Sequence, residues 1–112
     1  MSDATPYSYR VSVLGVHDGD TVTVLIDLGF YLTKTTPIRM AGINAPELST
    51  DAGRKARDAL MGFVGLQRGQ WLATTYKSGE EKYGRWLARL IAPDGTDVSQ
   101  WMIEHGYAVP MA

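Results

Sequence analysis

The chain contains no cysteine, and it has only two histidines, His17 and His105, among its 112 residues. Without cysteine, neither a disulfide framework nor a thiolate zinc site can form. Two histidines alone cannot build a histidine-rich metal centre. Any metal site in this chain is therefore expected to use oxygen ligands, which suit hard cations.

Long hydrophobic runs and a strong net charge are also missing. No apolar run approaches the ~20 residues that cross a bilayer, and the opening residues, MSDATPYSYR, lack the basic and then apolar layout of a signal peptide. We therefore expect no membrane partner, and either a cytoplasmic protein or the mature form of a secreted one. The net charge of −1 does not predict the tight, sequence-indifferent nucleic-acid binding of a basic protein.

The charges are nevertheless unevenly distributed along the chain. Residues 31–90 hold ten basic and five acidic side chains, whereas residues 1–30 hold one basic and four acidic side chains. Such an asymmetry is compatible with an anionic substrate on one face, and equally with a solvated surface of uneven charge.

The hydrophobic pattern predicts a single, mainly β domain over residues 9–112, after a flexible N-terminal segment over residues 1–8. The mass of 12.3 kDa is that of one domain. Alternating or β-branched residues predict strands over 9–14, 21–26, 30–33, 37–41, 71–76 and 85–91. Gly15 is expected to end the first strand.

Two helices are also predicted. The first covers residues 51–66, where four apolar residues share one face: Ala56, Leu60, Phe63 and Val64. The second opens at Asp97, which resembles the first residue of a capping box, and is stopped by Gly106. Strands that arrive mostly as a meander favour a five-stranded OB-fold barrel with two packed helices, an α+β arrangement.

The acidic turn His17-Asp18-Gly19-Asp20-Thr21 is the first cluster that could carry chemistry. It is not an EF-hand, because position twelve of such a loop requires glutamate and is Gly29 here. Its composition fits an ordinary hairpin turn. One of its carboxylates could also reach a cation that other loops share.

The second cluster runs from Arg39 to Glu47. An arginine between apolar strand residues is costly unless its guanidinium has a partner or lines a cleft. Glu47 follows Pro46, which makes the loop rigid enough to aim a carboxylate at a site. An ordinary ion pair between Arg39 and Glu47 would explain the same residues.

The third cluster, Lys82-Tyr83-Gly84-Arg85-Trp86, opens a predicted strand. By itself it fits an aromatic surface turn with a solvated arginine. Hydrolysis of a phosphate ester, however, needs parts that the three clusters hold jointly: a cation and arginines to neutralise the transition state, and a carboxylate to activate water. The combination is more specific than any one cluster.

In this order, the three motifs resemble the staphylococcal-nuclease-like (thermonuclease) family of calcium-dependent nucleases. The resemblance extends from about Tyr9 to Ala108 and includes the late His105-Gly106-Tyr107-Ala108 segment. It implies an OB barrel with packed helices. It also implies a nucleic-acid substrate, with single-stranded DNA or RNA favoured, and we expect a monomer.

The resemblance implies a role for each matching residue. Asp20 corresponds to a calcium ligand, and the main-chain carbonyl of Ala45 lies near the ion. Asn44 stands where the family commonly has a second calcium-binding aspartate, so we expect weaker metal binding. Arg39 and Arg85 match the arginines that bind the scissile phosphate.

The remaining matches concern water and the substrate. Glu47 matches the carboxylate that acts as general base or orders the attacking water. Lys82 and Tyr83 match residues near the terminal phosphate of a bound nucleotide. The implied reaction cleaves the bond between phosphorus and the 5′-oxygen and leaves 3′-phosphate ends.

Two interpretations of other classes remain open. A non-catalytic OB module could bind single strands by stacking bases on exposed aromatics such as Tyr83, Trp86 or Tyr107. An interaction domain could instead use the barrel as a scaffold, with its aromatic residues in the core.

Overall fold

A computed structural model describes residues 7–75 and 86–111. Within these residues seven strands and two helices follow one another: β1 (Tyr7–Asp18), β2 (Thr21–Gly29), β3 (Leu32–Met40), β4 (Ile43–Asn44), α1 (Asp51–Leu66), β5 (Trp71–Thr75), β6 (Trp86–Ile91), α2 (Val98–Glu104) and β7 (Val109–Pro110). Among these residues no helix is both long and apolar enough to cross a membrane.

Five of the strands close into a barrel in the order β1-β2-β3-β6-β5. β3 and β6 pair in parallel, and the other neighbours are antiparallel. The two short strands β4 and β7 form a separate antiparallel pair. A closed five-stranded barrel with two helices confirms the predicted OB-fold-like α+β architecture.

The long strand β1 pairs with two neighbouring strands. For this reason the prediction that it ends at Gly15 was wrong. Its first half pairs with β5 and its second half with β2, and Val11 has a partner in both. The register with β2 shifts on either side of Gly15 and Val16. Such irregularities bend a strand and increase its twist, so Gly15 marks a bend inside β1 rather than its end.

The strands predicted over 30–33 and 37–41 are one strand in the structure, which is a further correction. β3 runs through Pro37, whose Cα partner on β2 is Thr23. Pairing with β6 begins only at Ile38. Phe30 and Tyr31 instead form the turn before β3, with φ angles of 56° and 62°.

The core lies inside the barrel and under the two helices. Its largest fully buried side chains come from β2, β3, β4, β6 and both helices: Val22, Val24, Ile38, Met40, Ile43, Leu60, Leu90, Val98 and Met102. α1 matches its predicted span, with Ala56 and Leu60 fully buried. α2 begins after Asp97, whose side chain accepts a hydrogen bond from the Gln100 N–H, as the predicted cap requires.

Candidate active site

The acidic turn and the end of β3 meet at one end of the barrel. The register of β2 and β3 pairs Thr21 with Arg39, and the Met40 N–H donates to the main-chain oxygen of Asp20 at 2.8 Å. Sheet pairing therefore brings together two residues that are 19 positions apart in the sequence. This proximity follows from backbone geometry and does not depend on a flexible loop.

Both side chains are buried where they meet. Asp20 is 7% exposed and Arg39 is 8% exposed, and a distance of 3.5 Å separates Oδ2 of Asp20 from Nη1 of Arg39. Because a buried guanidinium without a partner is costly, this carboxylate accounts for an arginine between the apolar residues Ile38 and Met40. Asp20 meets the predicted need for a partner, and among the described residues Glu47 forms no ion pair with Arg39.

The segment after β3 completes the cluster. The Ala45 N–H donates to Oδ2 of Asp20 at 2.9 Å, and Nη2 of Arg39 donates to Oδ1 of Asn44 at 3.3 Å. The structure thus brings four predicted site residues together, namely Asp20, Arg39, Asn44 and Ala45. Ala45 contacts Asp20 through its N–H, and the role of its carbonyl near the ion stays a prediction.

The environment of Asp20 makes ionisation harder than for an exposed aspartate. Burial removes water from the carboxyl group and raises its pKa, and the neighbouring Asp18 raises it further. The Ala45 N–H and the charge of Arg39 act in the opposite direction and lower the pKa, but the net shift is upward. The Asp18 carboxylate also accepts the Asp20 N–H at 3.1 Å, which fixes the turn.

Glu47 lies near this cluster in sequence but is held differently. Its side chain is exposed, and its carboxylate has no hydrogen bond or ion pair with any residue in the described part of the chain. Its main-chain oxygen, in contrast, accepts two hydrogen bonds from Thr50, one from N–H at 3.0 Å and one from Oγ1 at 2.7 Å. The loop backbone is therefore fixed while the carboxylate faces solvent.

Three predicted site residues, Lys82, Tyr83 and Arg85, lie outside the described residues. Strand β6 begins at Trp86, the residue that follows Arg85 in the sequence. The Cα partner of Trp86 is Ile38 in β3. Tyr107, one of the aromatics considered for base stacking, is half-buried and stacks on Trp101 with ring centroids 6.0 Å apart. It belongs to the packing of α2.

The donor atoms around Asp20 suit a hard cation better than a soft one. Asp20 and Asn44 offer carboxylate and amide oxygens, the types that calcium takes. Within residues 7–75 and 86–111, no three His, Asp or Glu side chains cluster as a metal site. Asp20 is shared with Arg39 and Asn44 adds no charge, so these oxygens could supply only part of a cation site, and calcium as its ion stays a prediction.

Sequence reasoning missed three residues that support the cluster. Thr50 caps α1 and binds the Glu47 carbonyl; a threonine just before a helical pattern is a usable signal for a cap. The Thr21 hydroxyl donates to Oδ1 of Asp20 at 3.1 Å. Buried Ser99 donates to the Ala41 carbonyl at 2.8 Å, a contact across 58 residues that no local pattern reveals.

Comparison with known proteins identifies the family. Residues 37–112, more than half of the chain, match the family described as "Staphylococcal nuclease homologue". The chain belongs to this family.

Two curated proteins are similar over most of the chain. Both are called "Uncharacterized endonuclease", one from Escherichia coli O157:H7 and one from Escherichia coli. Each is 36% identical over 96 residues, which cover 86% of this chain and 57% of the relative. The chain thus spans little more than half the length of these relatives.

Proposed function

We propose that the chain is a calcium-dependent nuclease that hydrolyses phosphodiester bonds of DNA or RNA. The observation that carries this proposal is the meeting of Asp20 and Arg39, which are buried and 3.5 Å apart, with Asn44 and Ala45 at one end of the barrel. Membership of the staphylococcal nuclease family and similarity to proteins named as endonucleases support the same activity.

In the proposed reaction, Arg39 binds the scissile phosphate. Asn44 and the Met40 carbonyl hold its guanidinium at 3.3 and 3.2 Å. Donors that are already oriented lower the cost of reaching a transition state in which charge accumulates on the phosphate oxygens. We assign Arg85 to the same task, and Lys82 and Tyr83 to the terminal phosphate, on the strength of the family pattern alone.

Glu47 is assigned to the attacking water. As this water attacks phosphorus, Glu47 accepts one of its protons. The bond between phosphorus and the 5′-oxygen breaks, and the leaving oxygen takes up a proton. The products are a 3′-phosphate and a 5′-hydroxyl. An exposed carboxylate on a fixed backbone suits this role, because it is accessible to both water and substrate.

Calcium would be held by Asp20 and Asn44, with the Ala45 carbonyl nearby. When bound, such a cation polarises a phosphate oxygen and offsets negative charge on the transferring group. With a net charge of −1, the chain has little general attraction for a polyanion. Substrate binding is therefore assigned to contacts around the scissile phosphate. Following the family resemblance, we propose single-stranded DNA or RNA as substrates of a monomeric protein.

Loss of polymeric nucleic acid tests this proposal. Denatured DNA and RNA are incubated with the protein, with and without calcium, beside Glu47→Gln. We expect calcium-dependent cleavage that this variant reduces by about 100-fold or more, since a general base contributes at least that much. Glu104→Gln, the same change at another exposed glutamate, is the matched control. Binding without cleavage would support a non-catalytic OB module. The absence of both binding and cleavage would support a scaffold.

A further inference from the structure

The first turn of α1 is in direct contact with the main chain of Glu47. A Cβ atom added at Gly53 would overlap the carbonyl carbon and oxygen of Glu47, and it would lie 2.9 Å from the Leu48 nitrogen. Gly53 is buried, and the overlapping atoms are all backbone. No side chain could turn away to relieve the overlap, so only glycine permits this approach.

Hydrogen bonds hold the same peptide against the helix. The Thr50 hydroxyl donates to the Glu47 oxygen at 2.7 Å and accepts from the Gly53 N–H at 3.0 Å. A single hydroxyl thus links the loop to a helix N–H that has no partner within the helix. The contact of Glu47 with α1 is therefore both close-packed and hydrogen-bonded.

The same face of α1 supports the turn that carries Asp20. A Cβ atom at Gly19 would lie 2.8 Å from Cβ of Ala45 and 2.9 Å from Cβ of Ala56. Ala56 is three positions after Gly53 and lies on the same side of the helix. One helix face therefore makes two separate contacts, with the Glu47 loop at Gly53 and with the turn before β2 at Ala56.

We propose that Gly53 is a positioning residue that places the Glu47 carboxylate relative to the cluster of Asp20 and Arg39. This inference rests on the proposed role of Glu47. Gly53 touches no substrate; it acts by letting the Glu47 peptide lie directly on α1. A methyl group at this position pushes that peptide outward, while the Asp20, Arg39 and Ala45 contacts, which do not involve Gly53, are retained.

Steady-state kinetics of Gly53→Ala test the proposal. A misplacement of ~1 Å can cost on the order of 100-fold in rate, so we expect kcat to fall by about 10- to 100-fold, with KM and calcium affinity within about twofold. The matched control is Gly62→Ala in the same helix, where an added Cβ meets no atom within 4 Å. This control should keep kcat unchanged. Equal kcat values for the two variants would overturn the proposal.

A double-mutant cycle distinguishes positioning from general damage. If Gly53 acts through Glu47, then Gly53→Ala should cause almost no further loss of kcat in a Glu47→Gln background. If the kcat losses of Gly53→Ala and Glu47→Gln instead multiply in the double variant, the proposal is contradicted. If Glu47→Gln alone keeps full activity, the proposed function of Glu47 fails; if it loses activity and Gly53→Ala does not, only the positioning role fails.

A second pair of variants introduces no Cβ atom at position 53 and tests the same proposal if Gly53→Ala does not fold. Thr50→Ala removes the hydroxyl that binds the Glu47 oxygen, whereas Thr50→Ser keeps it. We expect kcat to fall severalfold for Thr50→Ala, to recover in Thr50→Ser, and to be insensitive to Thr50→Ala once Glu47 is glutamine. Equal kcat values for the alanine and serine variants would count against the positioning of Glu47 by α1.

Discussion

The two halves of the candidate site differ in how they are held. Asp20, in the turn before β2, and Arg39, in β3, are both buried and neutralise each other. Glu47 is exposed, and only its backbone is fixed, through Thr50 and Gly53. The charges that would meet the phosphate are thus built into the barrel. The group that would move a proton stands on a loop, open to water.

This difference predicts that the buried half tolerates the least change. Arg39→Lys keeps the charge next to Asp20 but loses the planar fork that reaches Asn44 and the Met40 carbonyl. We expect kcat/KM to fall on the order of 100-fold or more, the cost of losing an oriented donor at a developing oxyanion. The measurement is cleavage of denatured DNA at saturating calcium.

An exposed arginine provides the control for this change. Arg68 lies just after α1 and donates to the carbonyls of Gly65 and Gln67, far along the chain from the site. Arg68→Lys should leave kcat/KM unchanged. If Arg39→Lys were equally harmless, Arg39 would only neutralise Asp20, and the buried half would be structural.

Local signals in the sequence were sufficient for the helices but not for the strand boundaries. The α1 span is as predicted because apolar residues recur on one face from Ala56 to Val64. β1 continues past Gly15 because its register with β2 shifts there, and a bulge has no reliable signature in a single sequence. β3 passes through Pro37, which by local rules separates two strands.

The candidate site was predictable in its residue types and not in its contacts. Chemistry and the family pattern predict Asp20 and Arg39 as site residues. That the two side chains meet follows only from the pairing of Thr21 with Arg39 in the sheet. No local pattern distinguishes Gly53 from another helix glycine, because its close contact is with a loop that the sequence does not place. Roles that depend on tertiary contacts, such as that of Ser99, left no local trace.

A smaller effect is expected at Asn44, on the boundary between the two halves. Asn44→Asp adds a carboxylate beside Asp20 and next to the guanidinium of Arg39. Since calcium affinity rises with the number of charged oxygen ligands, we expect binding about tenfold tighter. Titration calorimetry with calcium measures this change. An unchanged or weaker affinity would show that Asn44 is outside the metal site.

The smallest expected effect concerns the pH at which calcium binding is lost. In the proposed site calcium would bind the ionised form of Asp20, and burial raises the pKa of this group above its ordinary value of 3.8. Protons therefore compete with calcium at a higher pH than they would at an exposed aspartate. We expect calcium affinity, measured by titration across the acid range, to decline as the pH falls through this raised pKa.

Without calcium, the contribution of Asp20 to stability should change in the opposite direction with pH. The folded state binds the Asp20 proton more tightly than the unfolded state, so the contribution of Asp20 to stability decreases as the pH rises through the raised pKa. The stabilisation that calcium provides should therefore be largest above that pKa and vanish below it. Thermal unfolding with and without calcium, at several pH values, measures both trends.

Asp18→Asn sharpens this last prediction. Asp18 raises the pKa of Asp20, and asparagine keeps an oxygen that can accept the Asp20 N–H while removing the charge. The pH at which calcium binding is half lost should therefore move to a lower value, whatever happens to the maximal affinity. If this midpoint stays where it is, the group that controls calcium binding is not the buried Asp20, and the burial that separates the two halves of the site has no influence on the metal.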